Sequence, residues 1–162
     1  MGKSKLHLIA EPGKQEIVMT RVFDAPRALV FKAYTDPKLI HQWWGPRGDT
    51  TRVDKMEVRE GGRWRFVSTR PGEKYAFHGV YHAIVAPERL VQTFEFEGAP
   101  SHVQLETATF EEQGGKTKIT AQSVFQSVAD RDAMIEAGME SGAAETLDRL
   151  EELLAESLKP QA

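Results

Sequence analysis

The sequence predicts an α+β domain: a twisted antiparallel sheet of six to seven strands wrapped around a long C-terminal helix, with two short helices after the first main strand. Three observations predict it. Between residues 50 and 125, segments of β character are separated only by short turn-like breaks, so neighbours pair antiparallel. No helical segment interrupts that run, which argues against a parallel βαβ arrangement. Residues 127–158 then carry Leu147, Leu150, Leu153, Leu154 and Leu158 at helical spacing, opposite a charged face of Asp148, Arg149, Glu151, Glu152 and Glu156.

Residues 5–10 form a short candidate strand, closed by the turn Pro12-Gly13. Residues 16–23 alternate Ile17, Met19, Arg21 and Phe23 against Glu16, Val18 and Thr20, the period of a half-buried strand. Asp24-Ala25-Pro26 stops it, with Asp24 suited to cap a helix over 27–34 and Pro26 suited to its first turn. Asp36-Pro37 repeats that start signal before Leu39, Ile40, Trp43 and Trp44, and Gly45-Pro46 ends the second helix. Strands are expected over 51–59, 63–69, 75–85, 89–96, 102–111 and 116–125, with turns at Gly61-Gly62, Pro71-Gly72, Ala86-Pro87, residues 98–100 and Gly114-Gly115. Ser127 with Asp130 three residues on caps the terminal helical region, and Pro160 lies past its end. The half of that region nearer Ser127 has Met134, Gly138, Met139 and Gly142 in place of leucines, so the helix seals a core at one end and leaves room at the other.

A chain of 162 residues fits one domain (1–162, with 1–15 an N-terminal extension) and buries enough surface for an independent core. A net charge of -3 gives no electrostatic reason to expect nucleic acid or an anionic membrane. With no cysteine, disulfides and thiolate chemistry are excluded. No apolar run reaches membrane-spanning length, and the first residues lack a signal-peptide pattern, so the expected location is cytoplasmic.

The run "RVFDAPRALVFKAYTDPKLIHQWWGP" from Arg21 to Pro46 resembles the opening of the SRPBCC (START-like) superfamily, in the branch related to the C-terminal domain of the activator of the heat-shock-protein-90 ATPase. "GGRWRF" from Gly61, "GVYHAIVAPERLVQTF" from Gly79 and "GMESGAAETLDRLEELL" from Gly138 match as well, and the likeness covers nearly the whole chain beyond Glu16. The resemblance implies a helix-grip fold with an internal cavity. It implies no particular reaction, since members include ligand carriers, cyclases and co-chaperone domains. The eukaryotic activator's separate N-terminal chaperone-binding domain has no counterpart in these 162 residues, which weakens the chaperone expectation.

Trp43 and Trp44 are adjacent and point in different directions. One is expected to pack and the other to line a cavity mouth; the simpler alternative is that both only pack. Trp64, Phe66 and Ser68 share a strand face, as do Tyr75, Phe77, Gly79 and Tyr81 unless a bulge shifts the register, and Leu90, Gln92, Phe94 and Phe96. Part of this aromatic surface is core, and around a hollow it suits a flat or lipid-like ligand. A helical glycine costs about 0.5–1 kcal/mol against alanine, so Gly138 and Gly142 need reasons. A helix break suits Gly138 and ligand space suits Gly142, with close backbone approach the alternative. The candidate cavity residues are thus Trp43, Trp44, Trp64, Phe66, Tyr75 and Phe77 on one side. Tyr81, Phe94, Gln122, Met134, Met139 and Gly142 complete them.

No catalytic signature emerges. The serines sit in no nucleophile elbow, and no phosphate loop is present. His78 and His82 on a strand lie about 13 Å apart, too far for one metal. Glu95, Gln104, Glu106 and Gln122 alternate on strands and are expected mostly to face solvent, with one or two entering the cavity. The sequence reading is non-catalytic binding of a small hydrophobic or amphipathic ligand, with neither metal nor cofactor. A co-chaperone acting through its surface is the first alternative, and a cyclase or hydrolase using a cavity acid the second.

Overall fold

The computed structural model describes residues 6–159. The strands β1 (His7–Ile9) and β2 (Glu16–Phe23) precede the helices α1 (Arg27–Thr35) and α2 (Pro37–Ile40). The meander β3 (Thr50–Met56), β4 (Arg63–Arg70), β5 (Glu73–Val85), β6 (Arg89–Phe96), β7 (Val103–Gln113) and β8 (Lys116–Val124) follows. Helices α3 (Val128–Glu136) and α4 (Met139–Ser157) complete the described chain. All strands pair antiparallel in one sheet, ordered β1-β2-β8-β7-β6-β5-β4-β3. The sheet has eight strands among the described residues, against the six to seven expected, because β1 adds to the free edge of β2. The link through α1 and α2 carries the chain from β2 to the opposite edge at β3.

Local chemistry explains the breaks. Pro26, not Asp24, is the N-cap of α1, extended at ψ 146 and without a side-chain cap bond. Asp36 caps α2 as expected, accepting from the Lys38 N–H at 2.9 Å. That helix stops at Ile40, so Trp43 and Trp44 stand in the turn beyond it. The Ser127 hydroxyl accepts from the Asp130 N–H at 3.0 Å and starts α3. Gly138, at φ 86, splits the terminal region into two helices; a side chain is disfavoured in that backbone conformation.

The core sits between the concave sheet face and the helices. Leu150 and Leu154 are buried, Leu147 and Leu153 pack against the same cluster, and Leu158 is exposed. The charged side of α4 is not simply solvated. Arg21, on the inward parity of β2, pairs with Asp148 at 2.9 Å and Glu151 at 3.2 Å and lies over the Phe23 ring. Arg149 donates to the carbonyls of Gly45 at 2.7 Å and Gln42 at 3.0 Å, tying α4 to the turn that carries the tryptophans. Arg21 and Arg149 thus tie α4 to β2 and to the turn that carries the tryptophans. At Gly79, any Cβ would overlap the Thr93 carbonyl oxygen and crowd the Trp64 indole nitrogen, which donates to that same oxygen at 3.2 Å.

Candidate functional site

Between the sheet and the helices lies a cavity of about 660 Å³. Aromatic rings form one wall. Trp44 meets Phe66 edge-on at 5.1 Å and Phe77 at 5.2 Å, and Phe77 lies 5.3 Å from Phe94. The roof comes from Met134 on α3 and from Met139, Ala143, Thr146 and Leu147 on α4. Small side chains at Ala143 on the roof and at Ala108 and Ala121 on the floor leave the volume unfilled.

The floor carries a polar row. Register pairs Tyr81 with Gln92, Gln92 with Glu106, and Glu106 with Ser123, so four polar side chains lie side by side across β5, β6, β7 and β8. All four line the cavity. The Gln104 amide donates to the Glu106 carboxylate at 3.1 Å, and the Ser123 side chain also hydrogen-bonds to it. Burial pushes the Glu106 carboxyl up to about 7, while those two hydrogen bonds pull it the other way. Tyr34, on α1, is pushed up first by burial and then by the Glu106 charge, with Arg21 acting in the opposite sense. Its hydroxyl therefore stays protonated at neutral pH. Tyr81 is raised by burial alone.

A second polar point lies farther along the lining. The Asp49 carboxylate accepts from the Ser68 hydroxyl at 2.9 Å and from Arg70, whose guanidinium sits 5.5 Å over the Tyr75 ring. This cluster is internally paired, in contrast to Glu106. Among the described residues no group of three or more His, Asp or Glu side chains is arranged to hold a metal ion.

Of the twelve residues expected to line the cavity, Trp43, Trp44, Phe66, Tyr75, Phe77, Tyr81, Phe94, Gln122, Met134 and Met139 do so. Trp43 is nearly all packing, its indole donating to the Ala33 carbonyl at 3.0 Å, and Trp44 supplies the cavity wall. Gln122 borders the hollow, but its amide donates to Glu16 at 2.6 Å on the outward parity of β2. Trp64 and Gly142 are not part of the lining. Trp64 is held behind Trp44 by its bond to Thr93, and a Cβ at Gly142 would meet no atom within 4 Å. The neighbouring Ala143 and Thr146 take the place expected of Gly142. The sequence reading did not single out Tyr34 or Ser123 and left open whether Glu106 and Gln104 turn inward. The available signal was parity: Glu106 falls in step with Ala108 and Phe110 on β7.

The family model for "Activator of Hsp90 ATPase homolog 1-like protein" matches residues 24–155. The chain belongs to that family. It is an SRPBCC-type family, and the eight-stranded antiparallel sheet with its C-terminal helix is the helix-grip fold. A solution structure from Arthrobacter aurescens is 27% identical, with a TM-score of 0.86 over 93% of this chain and 91% of that one. One from Staphylococcus epidermidis is 29% identical, with a TM-score of 0.80 over 94% and 96%. A Mycobacterium smegmatis crystal structure at 23% identity shares the fold, with a TM-score of 0.85 over 98% and 99%. No curated protein matches the chain. No described helix of this family member is long and apolar enough to cross a membrane.

Proposed function

We propose that this family member binds a small amphipathic ligand in the cavity, without chemistry. The observation that supports it is the cavity itself: about 660 Å³, walled by aromatic rings and floored by one polar row. Such volumes with few convergent polar groups suit small-molecule sites. A neutral apolar fluorophore such as N-phenylnaphthylamine tests this. It is expected to bind saturably to the protein, and Ala143→Phe, which places a ring in the hollow, is expected to abolish binding while the protein stays folded. Undiminished binding to a folded Ala143→Phe would overturn the reading.

A second reading follows from the family description, activation of a heat-shock-protein-90 ATPase. It would act through a surface. Leu105 and Val124, paired neighbours on β7 and β8, are exposed on the outer sheet face and supply a small apolar patch for it. Saturable stimulation of the chaperone's ATP turnover, lost in Leu105→Asp, would favour that reading over the cavity. A cavity acid offers a third, catalytic reading, in which Glu106 exchanges a proton with a substrate near neutral pH; turnover that follows the titration of Glu106 would mark it.

A further inference from the structure

We propose that the ligand is an amphipathic amine, its protonated nitrogen held by the Glu106 carboxylate and its apolar body held against the Trp44, Phe77 and Phe94 rings. This rests on the reading of the cavity as a ligand site and adds the ligand's chemical class.

A buried charge is tolerated when it is paired and hydrogen-bonded. Glu106 has the hydrogen bonds: the Gln104 amide donates at 3.1 Å, and Ser123 bonds from the adjoining strand. Both serve the ionised carboxylate. Among the described residues, no Lys, Arg or His forms an ion pair with it, in contrast to Asp148, Glu151 and Asp49. The other carboxylate of the lining, Asp49, has its own Arg70 at 2.9 Å. One cavity carboxylate is thus complete, and the other is prepared for a cation that none of the described residues supplies.

The groups facing Glu106 leave that role open. From β6 and β5 come Gln92 and Tyr81, and from α1 comes Tyr34, all neutral at ordinary pH. From β2 comes Arg21, whose charge is engaged by Asp148 and Glu151 of α4. Met139, Ala143, Thr146 and Leu147 of α4 and Met134 of α3 bring no charge. A neutral alcohol of the same shape would gain the apolar contacts but not the ion pair.

A matched pair of probes tests this: naphthylmethylamine and naphthylmethanol, titrated against the full chain by tryptophan fluorescence and calorimetry between about pH 5.5 and 8. The amine stays protonated across that range, while Glu106 in the empty cavity ionises near 7. Its apparent affinity scales with the ionised fraction of the site, so it is expected to rise about 30-fold from pH 5.5 to 8 and then level off. The alcohol's affinity is expected to change less than about twofold. Glu106→Gln is expected to remove the amine's pH dependence and its advantage at about pH 8, while still binding the alcohol. Equal affinities for amine and alcohol in the wild type at about pH 8 would overturn the proposal and leave the cavity reading standing. So would an amine preference that survives in Glu106→Gln. Failure of both probes to bind the folded wild-type protein would sink both.

Discussion

Replacing Glu106 by Gln changes the stability of the empty protein in a pH-dependent way whose sign is fixed by the structure. In the unfolded chain this carboxyl titrates near 4.5, and in the fold burial raises it to about 7. Below about pH 4.5 it is protonated in both states and contributes no pH dependence. Between about 4.5 and 7 the unfolded chain releases the proton and the folded chain keeps it, so stability falls as pH rises. Above about 7 the full penalty is present. Taken at face value, a displacement of that size is about 3 kcal/mol at ~1.36 kcal/mol per pH unit. The carboxyl faces a hollow roomy enough for water, which reduces this to about 1–2 kcal/mol. Glutamine keeps the size and the hydrogen-bonding capacity without the charge. Urea unfolding at about pH 4.5 and about pH 8 should therefore show Glu106→Gln gaining about 1–2 kcal/mol on the wild type between the two, a shift of roughly 2–8 °C in Tm at the higher pH. A stability difference that is the same at both pH values would show that Glu106 titrates normally in the fold and would refute the desolvation argument.

Other substitutions probe the frame of the cavity. Leu150→Ala removes a fully buried side chain and should lower stability by roughly 2–5 kcal/mol in denaturant unfolding, with little change in the slope. Gly142→Ala places a methyl where no atom lies within 4 Å, and should raise stability by about 0.5–1 kcal/mol without altering probe binding. Gly79→Ala drives a methyl into the Thr93 carbonyl and the Trp64 indole, and should cost about 1–3 kcal/mol and change tryptophan fluorescence. Arg21→Met strips Asp148 and Glu151 of their partner; measured against the triple variant in which both acids become neutral amides, it should be the less stable of the two.

The fold was legible wherever a residue pattern has one physical solution. Asp36-Pro37 and Ser127 cap the helices they were expected to cap, the alternation of Ile17, Met19, Arg21 and Phe23 gives the inward face of β2, and Gly138 breaks the helix. The polar part of the site was legible only in outline, and β7 shows why. Its two parities read Gln104, Glu106, Ala108, Phe110 and Val103, Leu105, Thr107, Thr109. Around residues 103–106, hydrophobicity alone assigns valine and leucine to the core and the two polar residues to water. The structure does the reverse: Gln104 is buried, Glu106 lines the cavity, and Leu105 is 43% exposed. The inversion follows from the hollow. A strand packed against a solid core gains by turning its leucines inward, whereas a strand that floors an unfilled volume gains no packing there and can turn hydrogen-bonding groups toward it. At the Phe110 end of the same strand, where the core is filled by Phe31 and Tyr34, the apolar residue faces inward as usual. A strand whose hydrophobic parity reverses along its length therefore marks the point where core gives way to cavity, and on β7 that point lies between Glu106 and Phe110.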